Sequence, residues 1–165
     1  MIFVSIGTHP QPFTRLLCKI DRLIENKLIR EEVIAQTGYT KFDSNQFKTI
    51  AFLSLADFDS HVKNARLVIT HGGEGNIGAC LQHHKPMVIV PRLAAFNEHT
   101  NDHQLELSQA IADAKKGIVI LDIEKLANAI EQAPTLVPSH APAPTRIIGL
   151  LDEFTQALSN PSRGK

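Results

Sequence analysis

The residues Thr70-His71-Gly72-Gly73-Glu74-Gly75-Asn76-Ile77-Gly78 set a histidine beside closely spaced glycines. They follow the apolar run Leu67-Val68-Ile69 and open a segment with helical character. Glycine lets backbone N–H groups approach an anion closely, and the start of a helix adds partial positive charge. The chemistry favoured is capture of a phosphate-bearing ligand, with the amides from Gly72 to Asn76 and the His71 side chain as donors. Read literally, Gly73-Glu74-Gly75-Asn76-Ile77-Gly78 is also G-x-G-x-x-G, a dinucleotide signature. That signature normally follows the first strand and is answered by an acid at the end of the next. Here it follows about the fourth strand, and the next strand ends in Pro91-Arg92. An arginine there would suit a 2′-phosphate, which keeps an NADP-dependent oxidoreductase open as an alternative.

Other polar residues fall where short strands would end: Gly7-Thr8-His9, Thr37-Gly38-Tyr39, Ser54, Arg92, and the loop from Phe96 to Gln104. Open α/β sheets bind ligands outside the carboxyl ends of their strands, so these segments belong to one rim. His9 is a candidate general base on that rim, against the plainer reading of a solvated turn residue. His99 and His103 have the i, i+4 spacing that can hold zinc on a helix. The chain has no H-E-x-x-H, and Asn101 or Asp102 serves equally well as a helix cap, so no metal is expected. No serine or cysteine sits in a recognisable nucleophile elbow, which argues against triad hydrolysis.

The elements that must position these residues follow from periodicity. Short apolar strands are expected at Ile2–Ile6, Val33–Gln36, Thr49–Phe52, Leu67–Thr70, Met87–Val90 and Ile118–Leu121. Helical spacing covers Phe13–Leu28, Ser54–Ala65, Glu74–His84, Asn101–Ala114 and Ile123–Gln132, the last with Asp122 as its N-cap. Thr37–Lys48 reads as a loop. Alternating strands and helices imply an α/β domain over residues 1–133, with a Rossmann-like, doubly wound, mostly parallel sheet. The prolines at 134, 138, 142 and 144 mark residues 134–145 as a linker. A C-terminal helix over 146–158 would pack back on the sheet or onto a partner. The N-terminal apolar run lacks a basic flank and reads as a strand, not a signal peptide.

Composition narrows the class. Of 165 residues, 43% are hydrophobic and 21% charged, which is globular usage. Lys+Arg and Asp+Glu balance at 17 each, so nothing points to nucleic acid. The two cysteines, Cys18 and Cys80, lack metal spacing and fit a reducing cytosol as well as a disulfide.

With those residues in order, the chain resembles the C-terminal, donor-binding half of GT-B glycosyltransferases of family 28. The landmarks are Phe3-Val4-Ser5-Ile6-Gly7-Thr8, Ala35-Gln36-Thr37-Gly38, the stretch from Ala65 to Gly75, Lys85–Pro91, and Asn101-Asp102-His103-Gln104-Leu105-Glu106-Leu107. The family includes the peptidoglycan GlcNAc transferase and the catalytic subunit of the dolichol-linked UDP-GlcNAc transferase. Gly7–Leu16 and the stretch from Val90 to Gln104 are similar to the small subunits of two-subunit capsule and exopolysaccharide transferases. The resemblance implies a UDP-sugar donor whose diphosphate is held by His71 and the amides of Gly72, Gly73, Glu74, Gly75 and Asn76. It implies that Gly7 and Thr8 line the cleft, that Asn101, Asp102 and Gln104 meet the sugar hydroxyls or ribose, and that Arg92 reaches a phosphate or a partner.

The same resemblance implies inverting transfer to a polyprenyl-diphosphate-linked saccharide, without a metal or other cofactor. It implies a membrane-associated partner resembling the missing N-terminal half, which would recruit this cytoplasmic chain to the inner face of the membrane. The general base would come from the partner or from His9. A non-catalytic role, enhancing a partner that holds all the chemistry, is the alternative. One departure stands out: many members carry a ribose-binding Glu where this chain has Ala79, and Glu74 is an imperfect substitute.

Overall fold

Apolar runs too short to bury themselves pair into one parallel sheet, and the helices between them cover both of its faces. The computed structural model describes residues 1–100 and 104–136. The strands are β1 (Ile2–Ser5), β2 (Val33–Gln36), β3 (Lys48–Ile50), β4 (Leu67–Thr70), β5 (Met87–Ile89) and β6 (Ile118–Val119). The helices are α1 (Thr14–Glu25), α2 (Leu55–Asn64), α3 (Glu74–Gln82), α4 (Gln104–Asp113) and α5 (Leu126–Gln132). All pairings are parallel, and the strand order is β3-β2-β1-β4-β5-β6. This is the doubly wound Rossmann order, in which the connection reverses direction between β1 and β4.

Side-chain alternation along the central strands feeds two cores. Ile2 and Val4 of β1 face a cluster completed by Leu16, Leu17, Ile20 and Leu23 of α1 and by Leu126 and Ile130 of α5. Phe3 points the other way, into Val62, Ile77, Cys80, Leu107 and Ile111 from α2, α3 and α4. Each buried aliphatic side chain stabilises the fold by about 1.5–3 kcal/mol. The cysteines are free thiols on helices that cover opposite faces, and burial pushes the Cys80 thiol up to about 12.

Residues 37–47 form a loop, as expected, pinned by the stacked rings of Phe42 and Phe47 against the α1 side. The Phe13 N–H at the start of α1 donates to Thr40 Oγ1 at 3.0 Å. β3 is shorter than the expected Thr49–Phe52 because the chain leaves the ladder at Ala51, whose carbonyl accepts from the Gly38 N–H at 2.8 Å. The expected helix 123–132 divides: Asp122 accepts from the Glu124 N–H and caps a 3-10 turn, Ile123–Lys125, that leads into α5. Pro134 lies in a further 3-10 turn, Ala133–Leu136. The rest of the expected linker and the helix over 146–158 lie outside the described residues.

The loops after β1 and β2 touch through backbone. Gly38 has φ +54°, and a Cβ placed there would stand 2.2 Å from the carbonyl oxygen of Gly7. Neither backbone can yield cheaply, and the left-handed conformation adds its own penalty for a residue with a side chain. Gly38→Ala is expected to destabilise the domain by about 2–4 kcal/mol. Its melting temperature should fall by roughly 5–15 °C in a thermal scan. An unchanged melting temperature would show that the two loops separate freely.

Candidate functional site

The carboxyl ends of β1, β2 and β4 open into a cavity of about 940 Å³. Its walls include Gly7 and Thr8 after β1, Gln36 at the end of β2, His71 and Gly73 after β4, and the α3 residues Glu74, Gly75 and Asn76. The first structural event after β4 is a glycine turn: Gly72 has φ +88°, and Gly73 is the N-cap of α3. Among the described residues, the N-cap Gly73 contributes no side-chain bond to this helix start. Asn76 N–H and Ile77 N–H donate to the Gly73 carbonyl and close the first helical turn. The helix start therefore presents backbone donors and a partial positive charge to the cavity.

The strand tips are locked by a polar network. Ser5 Oγ donates to Gln36 Oε1 at 2.8 Å. The Asn76 amide donates to Ser5 Oγ at 2.7 Å and to Thr70 Oγ1 at 3.0 Å. Asn76 thus joins α3 to β1 and β4 through its side chain, while its own N–H closes the first helical turn. It shapes the amide cradle from behind. That role was not visible in the sequence, although a polar Ser5 and Gln36 closing apolar strands were its signal.

His71 is buried in the cradle. Its Nδ1 lies 3.3 Å from the Ser5 carbonyl, which can only accept, so Nδ1 carries the proton. Burial, reinforced by the nearby Arg92 charge, pulls its pKa down to about 4. The ring is neutral at pH 7 and its Nε2 is an acceptor. Nε2 would stand 2.3 Å from a Cβ at Gly73 and 2.6 Å from one at Gly7, so only glycine on both sides admits the ring. The sequence reading made His71 a donor to phosphate. In this structure it becomes one only after taking up a proton.

Arg92 also departs from expectation. It is fully buried. Its guanidinium donates to the carbonyls of Ile6 at 2.8 Å, Gln11 at 2.7 Å and Glu98 at 3.0 Å, and lies 4.9 Å from the Phe13 ring centroid. Committed to the backbone of two loops, it reaches neither a phosphate nor a surface partner. Burial lowers its pKa to about 10, so it stays charged at neutral pH. Beside it, Glu98 accepts from Arg15 through both carboxylate oxygens at 2.9 Å and from the Leu93 N–H at 3.1 Å. The Arg92 cation adds positive potential beneath the β1 turn without touching a ligand.

His9 stands off the cavity wall. Its ring packs against His99 with centroids 4.2 Å apart, and its Nδ1 accepts from the Gln11 N–H. Gln104 opens α4, buried, and its Oε1 has no hydrogen-bond partner among the described residues. Asn101, Asp102 and His103 lie outside them. Ala79 lines the cavity, as do Asp59 and Gln82, two polar residues the sequence reading passed over.

The sequence matches the profile of the glycosyltransferase family 28 C-terminal domain over residues 1–143. The chain belongs to this family. The UDP-N-acetylglucosamine transferase subunit ALG13 of Candida albicans is 28% identical over 72 residues, which is 44% of this chain and 23% of that protein. Among solved structures, the calicheamicin glycosyltransferase CalG4 superposes with a TM-score of 0.64 at 15% identity, over 98% of this chain and 43% of CalG4. MurG of Acinetobacter baumannii gives 0.58 at 15% identity, over 93% of this chain and 49% of MurG. SsfS6 of Streptomyces sp. SF2575, solved with thymidine diphosphate, gives 0.51 at 16% identity, over 96% and 36%. The chain spans less than half the length of each. At these identities the likeness concerns the fold: the family 28 domain is one Rossmann-like half of a GT-B architecture. Among the described residues no helix is long and apolar enough to cross a membrane.

Proposed function

We propose that this family 28 domain is the donor-binding subunit of a heteromeric, inverting hexosyltransferase. It takes a UDP-sugar and passes the sugar to a polyprenyl-diphosphate-linked saccharide in capsule or exopolysaccharide synthesis. The observation that carries this reading is the cavity whose floor is the glycine turn and first turn of α3, with neutral His71 held between Gly7 and Gly73. A diphosphate fits that floor, because backbone amides and a helix terminus stabilise anionic oxygen at fixed positions. Likeness to a UDP-N-acetylglucosamine transferase subunit supports a UDP-sugar donor and a partner subunit. In this reading a partner supplies the acceptor side and recruits the pair to the membrane.

In the mechanism, an acceptor hydroxyl attacks the anomeric carbon while the bond to the UDP oxygen breaks. The α3 amides stabilise the charge growing on the departing diphosphate, a preorganised electrostatic contribution. Asn101, Asp102 and Gln104 meet hydroxyls of the donor, and the partner supplies the general base, since His9 is packed on His99. No metal is required for this step. The NADP alternative loses its main support with Arg92 bound to carbonyls.

A thermal-shift comparison tests the donor class. UDP at 100 times its dissociation constant should raise the melting temperature by roughly 5–10 °C, and NADPH should not. Stabilisation by NADPH alone would overturn the transferase reading. Co-expression with the candidate partner, followed by UDP-sugar screening on a lipid-linked acceptor, tests transfer itself. Substantial transfer by the partner alone would instead favour the enhancer role.

A further inference from the structure

We infer that Asp59, oriented by His83, is the carboxylate that receives the ribose hydroxyls of the nucleoside diphosphate. The inference rests on the donor reading above and assigns a residue on a different helix from the phosphate cradle. The cavity does not stop at the start of α3. It follows that helix past Ala79 to Gln82, with Leu55, Phe58 and Asp59 of α2 on the facing side. Five residues of helical rise separate Glu74 from Ala79, so the cavity extends about 7–8 Å beyond the first turn. A ligand whose diphosphate sits on the amides must place its next group, a pentose, along that stretch.

The chemistry there suits a diol. Ala79 is short and leaves the space beside α3 unfilled by its own side chain. Across from it stands Asp59, whose Oδ1 lies 2.6 Å from His83 Nε2. His83 follows Ala79 by one helical turn, and its imidazole reaches across from α3 to hold the carboxylate that shares the cavity wall with Ala79. An ionised carboxylate only accepts and has room for several donors. It can keep the His83 bond and still accept from vicinal hydroxyls. Glu74, the other acid on the wall, stands at the first helical position among the amides, where its charge meets the diphosphate end.

The pair is not needed for the fold. The Asp59 side chain is about half exposed, at 51%, and a solvent-exposed side-chain contact of this kind contributes little to stability. That separates a binding role from a structural one. The test is calorimetric titration of the full chain with UDP, 2′,3′-dideoxy-UDP and inorganic pyrophosphate, in wild type, Asp59→Asn and His83→Ala.

Wild type should bind UDP about tenfold or more tightly than the dideoxy nucleotide, because each hydroxyl donates to a charged acceptor. Asp59→Asn should bring that preference to within about twofold, with pyrophosphate affinity unchanged and the melting temperature held. His83→Ala should lie between the two, through a less ordered carboxylate. UDP binding with an undiminished hydroxyl preference in Asp59→Asn would overturn this inference alone. Failure of wild type to bind UDP in this titration would overturn the donor reading beneath it.

Discussion

Arg92→Leu should lower the unfolding free energy by about 3–5 kcal/mol, the largest stability loss expected from any single change near the site. The side chain is fully buried and its donors serve the carbonyls of Ile6, Gln11 and Glu98. Leucine fills part of the volume but donates nothing, and each buried acceptor left unpaired costs about 1–3 kcal/mol. The Glu98 carboxylate keeps its bidentate bond to Arg15, so the loss falls on the loop after β1 and the turn around Glu98. Lysine should recover little of it, because one ammonium cannot span carbonyls that a planar fork reaches together. Urea unfolding gives the answer, read as a shift in midpoint at constant slope. A loss below about 1 kcal/mol would mean that water or a rearranged loop satisfies those carbonyls at little cost. Because Arg92 also depresses the His71 pKa, the same variant should raise it, which titration of the His71 ring by NMR would follow.

That residue also shows where sequence reading reaches its limit. An arginine after a strand and a proline has the same local pattern whether it faces a phosphate or three carbonyls. Only the return of residues 6–11 beneath it decides, and that contact spans more than eighty positions of chain. His71 was legible as a site residue from the glycines around it. Its tautomer was not, since the Ser5 carbonyl that fixes it lies 66 residues away. The sheet itself was largely legible, because strands buried on both faces read as apolar runs of recognisable length. The strand ends drifted where backbone bonds to a neighbouring loop, such as Gly38 to Ala51, took over from the ladder. Asp59 and His83 were invisible as a pair, 24 positions apart on two helices. Their spacing acquires meaning only when α2 and α3 line one cavity.

His71→Ala is expected to reduce transfer by the reconstituted enzyme about 10²–10³-fold, the scale of losing one preorganised donor from a charge-stabilising site. The argument runs through its proton. In the free domain the ring is neutral, with a pKa near 4, against 6.5 for an unperturbed histidine. The unfolded chain therefore binds more protons than the folded one between those values. Stability from this group is intact above about pH 6.5 and is lost as pH falls toward 4, by about 3 kcal/mol in full. A diphosphate against Nε2 reverses the preference, because the anion favours imidazolium, and the bound pKa rises. Affinity for UDP should then increase as pH falls below that raised value, with protons taken up on binding, until the free ring also titrates near 4. Calorimetry in buffers of different ionisation enthalpy measures the uptake directly. In His71→Ala the uptake and the pH slope of affinity should both vanish, while circular dichroism reports an unchanged fold. Loss of transfer with proton uptake intact would place the titrating group elsewhere on the rim. Wild-type transfer rates in the variant would remove His71 from the leaving-group site and leave the α3 amides to stabilise the diphosphate alone.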